Sequence, residues 1–99
     1  MIKRIVKMTF RADKTDEFLA IFEENARKIR NFPGCQQLEL LRSTEGSQNI
    51  FFTYSQWDGT ASLEAYRRSA LFGKTWKRTK ALFADKPEAW TLNLCQKLS

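Results

Sequence analysis

Residues 35–57 read CQQLELLRSTEGSQNIFFTYSQW, and the way this stretch divides decides the fold. Two runs rich in leucine and aromatic residues, Cys35–Ser43 and Asn49–Trp57, flank the polar segment TEGSQ at 44–48. That pattern predicts two strands joined by a hairpin loop. Before them, Phe32-Pro33-Gly34 stops whatever comes earlier; after them, Asp58-Gly59-Thr60 opens a helix. The hairpin therefore stands between helical segments.

Upstream, Ile2–Arg11 has strand alternation, with Val6, Met8 and Phe10 on one side and Ile5, Lys7 and Thr9 on the other. Asp13 is the expected N-cap of a helix running to about Arg30. Asp16 and Glu17 in its first turn and Arg27, Lys28 and Arg30 in its last complement the helix dipole. Its buried stripe reads Phe18, Phe22, Asn25 and Ile29, where the Asn25 amide needs hydrogen-bond partners if it is buried. Downstream, a short helix carries Leu63 and Tyr66. Ser69 caps a second one, SALFGKTWKRTKALF at 69–83, which sets Phe72, Trp76, Thr79 and Phe83 on one face with Lys80 beside Trp76. Lys86-Pro87-Glu88 ends this helix, and Ala89–Lys97 is the expected last strand, with Trp90, Leu92 and Leu94 on one side.

The order is β-α-β-β-α-β with its second helix broken in two. Right-handed crossovers then give a four-stranded antiparallel sheet with the helices on one face, a ferredoxin-like α+β sandwich, and residues 1–99 read as one domain. The uncovered face is expected to carry Ile5, Thr9, Leu41, Phe51, Thr53 and Cys95. That is too apolar to leave wet, so a second copy packing sheet to sheet, a homodimer, is expected.

With 42% hydrophobic and 13% aromatic residues the 99-residue chain is a folding one. No apolar run approaches the roughly 20 residues of a membrane span. The opening MIKRIVKMTF lacks the apolar block of a signal peptide, which makes the cytoplasm the expected compartment. Cys35 and Cys95 have neither disulfide-framework nor zinc spacing. There is no histidine, which removes the commonest metal ligand and the general base best matched to neutral pH. The charge of +6 is uneven: Arg67, Arg68, Lys74, Lys77, Arg78 and Lys80 face only Glu64 between residues 61 and 83. Such a cluster is either a solvated helix face or a lure for an anion.

Taken in order and spacing, IVKMTF in the first strand, FPGC after the first helix, QW closing the third strand and LEAYRRSALFGKTW across the broken helix resemble the antibiotic biosynthesis monooxygenase (ABM) domain, a branch of the dimeric α+β barrel superfamily. The resemblance implies a dimer with a pocket between helices and sheet. In some members it implies oxygenation of aromatic polyketides or quinols by O2 without metal or flavin, so no cofactor is expected. Haem-degrading members use an asparagine, a tryptophan and a histidine where this chain has Val6, Tyr66 and Trp76, so that activity is not implied. Many quinol-type members place a histidine where Tyr66 stands.

Cofactor-free oxygenation needs a flat apolar slot and groups that favour a phenolate. Phe22, Tyr66, Phe72 and Trp76 are the candidate walls, Asn25 a hydrogen-bonding group, and Lys80 or Arg67 the cation beside the phenolate, with Tyr66 and Lys80 as the catalytic candidates. Each has a plainer role: the phenylalanines as core, Asn25 satisfying backbone, Lys80 reaching into water. The expected function is oxidation of a small phenol, hydroquinone or anthrone-like molecule; the alternative is a dimer that binds such a ligand without turning it over. The RNA-recognition motif shares the strand order and Phe52 and Tyr54 share a face. However, the first strand offers only Phe10 and the cations lie on the helices, so neither nucleic acid nor membrane is an expected partner.

Overall fold

The computed structural model describes residues 1–99. The first strand, β1 (Ile2–Thr9), lies antiparallel to a later strand, β3 (Ile50–Trp57), along its whole length, from Ile2 opposite Trp57 to Thr9 opposite Ile50. On its other side β1 pairs with β4 (Glu88–Asn93), and β3 pairs outward with β2 (Cys35–Arg42). The sheet order is β2-β3-β1-β4, all antiparallel. Helices α1 (Thr15–Arg30), α2 (Thr60–Arg67) and α3 (Ala70–Lys80) make the second layer of the expected ferredoxin-like α+β sandwich. No helix is long and apolar enough to cross a membrane.

Three boundaries and the buried stripe of one helix differ from the sequence expectation. Asp13 caps nothing: Ala12–Lys14 forms a 3-10 turn and α1 starts at Thr15 without a side-chain cap. The backbone there is already committed, with Phe10 N–H donating to Asn49 O and Arg11 N–H to Leu82 O, which holds the chain close to the sheet. Within α1, Ile21 is fully buried with Phe18, Asn25 and Ile29, while Phe22 is half-buried. Helix α3 ends at Lys80, before Pro87, because Phe83 bridges Phe10 and Ala84 N–H donates to Thr9 O, so this segment extends the sheet edge. Strand β4 stops at Asn93, which faces Ile2; β1 offers no partner beyond that residue. Cys95 thus lies past the sheet.

The parity of β3 also differs. Phe51 pairs with Met8 and is 1% exposed in the core, and Thr53 likewise faces the helices, so neither lies on the uncovered face. The run IFFTYSQW is apolar on both faces and carries no alternation to fix its phase; Phe51 and Trp57 fix it by burying their rings at either end. The uncovered face instead carries Ile5, Leu41, Phe52, Tyr54, Trp90 and Leu92, as the pairing of Ile5 with Tyr54 and Trp90 requires. Leu41, Trp90 and Leu92 are 48%, 42% and 45% exposed.

Gly34 fixes where α2 sits on the sheet. Its φ of +90° suits only glycine, and a Cβ there would stand 2.3 Å from Ser62 Oγ. Its carbonyl accepts from Asp58 N–H at 2.8 Å, tying the start of β2 to the start of α2. Gly34→Ala is therefore expected to destabilise the chain by more than about 1 kcal/mol in urea denaturation, from the clash and the left-handed backbone together.

Candidate functional site

Two clusters of buried side chains hold the layers together. One gathers Met8, Phe10, Phe18, Ile21, Phe51 and Leu82; the other Ile2, Cys35, Trp57 and Leu63. Along β1 and β3 the inward side chains between these clusters are Arg4, Val6, Thr53 and Ser55. Val6, Thr53 and Ser55 are too short to reach the helices. Arg4 turns aside, donating from Nη1 to Thr91 Oγ1 at 2.7 Å. Above them α3 presents the small Thr75 and Thr79 alongside Phe72 and Trp76. The result is a cavity of about 340 Å³ between sheet and helices, within the size range of small-molecule sites.

The roof of the cavity is an arc of rings. Tyr66 stacks on Trp57 at 5.0 Å and meets Phe72 edge-on at 5.2 Å. Phe72 lies nearly parallel to Trp76 at 5.8 Å, and Trp76 meets Phe83 at 5.5 Å. The break between α2 and α3 sets this arc: Ser69 Oγ accepts from Phe72 N–H at 3.1 Å and donates to Tyr66 O at 2.6 Å. One serine thus brings Tyr66 and Phe72 together. Every residue of β4 is exposed, including Ala89 and Thr91 on its helix-facing side, so the helix layer stops short of β4 and the cavity opens there.

Twelve of the nineteen lining residues are apolar, which favours a flat hydrophobic guest. The ionisable ones are Arg4, Arg67 and Tyr66; no carboxylate or lysine lines the cavity. Burial, with a smaller contribution from Cys35, pushes the Tyr66 phenol up to about 12. Its hydroxyl has no hydrogen-bond partner in the chain and is not sealed from the surroundings, and the residue lines the cavity. It is a neutral hydrogen-bond donor at physiological pH. No three carboxylate or thiol side chains group so as to hold a metal ion.

Of the sequence candidates, Phe22, Tyr66, Arg67, Phe72 and Trp76 line this one cavity. Asn25 and Lys80 do not. Asn25 is buried on the α1 stripe and spends its amide on Ile21 O at 2.9 Å. Lys80 borders a separate open depression with Phe83, Asp85 and Lys86. Arg4, Thr53, Ser55 and Thr75 were not among the candidates, although the small pair between Phe51 and Trp57 was legible once the phase of β3 was known.

The chain is thus a two-layer α+β fold of the ferredoxin-like class with an aromatic-roofed cavity between its layers. The family model for antibiotic biosynthesis monooxygenase matches residues 1–78, and the chain belongs to that family. Among solved structures, one antibiotic biosynthesis monooxygenase superposes with a TM-score of 0.90 at 18% identity, over 97% of this chain and 100% of its own. Rv0793 of Mycobacterium tuberculosis gives 0.89 at 15%, over 99% and 98%. SnoaB, a cofactor-independent oxygenase from Streptomyces nogalater, gives 0.85 at 18%, over 98% and 95%. At such identities the likeness concerns the fold. No curated protein matches the sequence closely enough to count as a relative.

The raised Tyr66 value has a consequence for stability. Below about pH 10, the ordinary phenol value, folded and unfolded chains both hold the proton and the group is neutral in effect. Between there and about 12 the unfolded chain has released the proton and the folded one has not, so stability falls as pH rises. Urea melts from pH 9 to 12 are expected to show this extra decline in wild type and a shallower one in Tyr66→Phe.

Proposed function

We propose that this chain is a cofactor-independent monooxygenase that oxidises a small phenol, hydroquinone or anthrone-like compound with O2. The observation that carries the proposal is an aromatic-roofed cavity lined by Tyr66, whose hydroxyl has no partner in the chain. The family membership and the likeness to a cofactor-independent oxygenase support it. In such a reaction a phenol and O2 give a quinone and water: one oxygen atom enters the ring and the other leaves with two hydrogens. The ring supplies all four electrons, so no reductant is consumed.

The part left to the protein is placement and electrostatics. Phe72 and Trp76 offer nearly parallel faces for a planar ring. Tyr66 donates a hydrogen bond to the oxygen on which negative charge builds, and being neutral it does so without giving up its own proton first. Arg67 at the cavity edge adds positive charge. No lining residue is a base at neutral pH, so the substrate's own acidity supplies the anion, its proton passing to solvent at the β4 side. That same lack of a base favours the second reading, a dimer that binds an aromatic ligand without turnover. In either case the apolar sheet face with Phe52, Tyr54 and Trp90 packs against a second copy.

Oxygen consumption by metal-free protein with a panel of hydroquinones and anthrones separates the two. Uptake matched by quinone formation supports the enzyme; ligand-induced rises in melting temperature with no uptake leave only the binder. In an active protein Tyr66→Phe is expected to lower kcat about 100-fold at nearly unchanged stability. Trp76→Ala is expected to cost activity and roughly 2–3 kcal/mol of stability. Thr53→Phe, which fills the hollow from the sheet side, abolishes turnover while the fold persists.

A further inference from the structure

We propose that the ligand of this cavity is an aromatic carboxylate, with its ring under Tyr66 and Trp76 and its carboxylate on Arg4 and Arg67. The inference rests on the cavity being a ligand site, and it adds the charge class of the ligand. Arg4 comes from the middle of β1 and Arg67 from the last turn of α2, yet both line the cavity and are its only permanently charged residues. Their one acidic neighbour is Glu64, which holds Arg67 Nη1 at 3.5 Å and does not line the cavity. Glu64 offsets one of the two charges and leaves a single positive one, the complement of a monoanion rather than of a phosphate dianion.

The cost of keeping Arg4 there points the same way. Its guanidinium is half-buried; its proton affinity is depressed by that burial and by the nearby Arg67, and only partly restored by Glu64. Its hydrogen-bond partner is a neutral hydroxyl, Thr91 Oγ1. A guanidinium in this position has donors to spare in a planar fork, the geometry that matches a carboxylate. Arg67 remains 44% exposed at the rim, and its 3.5 Å contact with Glu64 through Nη1 leaves its other guanidinium donors available to the same anion. The apolar arc and the cationic rim together select a molecule with a flat hydrophobic body and one acidic group at its edge.

Isothermal titration of the full chain with 2-naphthoate and its neutral isostere 2-naphthamide tests this. Wild type is expected to bind the naphthoate at least tenfold more tightly, with the advantage shrinking in high salt. Arg4→Gln and Arg67→Gln are each expected to erase most of that preference by lowering affinity for the acid far more than for the amide, and Arg4→Lys to restore part of it. Equal binding of acid and amide by wild type overturns the carboxylate assignment while leaving the cavity a ligand site. A preference that survives both glutamine variants overturns the assignment to these arginines. Binding of neither compound overturns the ligand site itself, and this inference with it. Should a glutamine variant not fold, the wild-type acid-to-amide ratio and its salt dependence still decide.

Discussion

Phe51 and Trp57 bury their rings at opposite ends of the inward edge of β3, and that constraint sets everything between them. Once both rings are inside, period-2 alternation puts Thr53 and Ser55 inside too, with no choice left to the chain. Two small polar side chains then face the helices where a core would want leucine. Ser55 is satisfied by accepting from Trp57 Nε1 at 3.0 Å, so its burial is not penalised. The two hydrophobic clusters close the ends and the middle stays open.

The hollow gains its chemical character from the helix layer. Ser69 breaks α2 from α3, and the break turns a single amphipathic stripe into an arc of rings around the void. The same arrangement desolvates Tyr66, so its phenol keeps its proton and acts as a donor rather than a base. Because the helices stop short of β4, the cavity opens beside Arg4 and Arg67. An aromatic interior with a positive rim follows from where the layers end, not from a dedicated loop.

The strand order was legible because its signals were local: the glycine-bearing loop between two apolar runs, Phe32-Pro33-Gly34, and the Ser69 cap. The aromatic lining of the cavity was legible as well, since helical spacing places Phe72 and Trp76 on one face whatever lies opposite. The sheet side was not. In Phe51-Phe52 two adjacent large residues hide the alternation, so the phase of β3 is set by contacts with Met8 and α1 that no local pattern records. With the phase reversed, Thr53 and Ser55 pass for solvent-facing residues and the hollow disappears. Arg4 escaped notice for a related reason: a charged residue in a strand reads as outward-facing, and only the short reach of β4's cover explains its inward position. Lys80 failed in the opposite sense, because proximity to Trp76 along a helix does not say which side of the ring the lysine takes.

The central claim is that an unfilled space between the layers receives a planar ring. The chain carries three tryptophans that report on it: Trp57 and Trp76 line the cavity, whereas Trp90 lies on the opposite face of the sheet. Following the three indole N–H signals by NMR during a titration with 1-naphthol tests the claim most directly. Saturable shifts of Trp76 and Trp57 with Trp90 unmoved are the predicted result. Movement of Trp90 alone, or of none of the three, would contradict it.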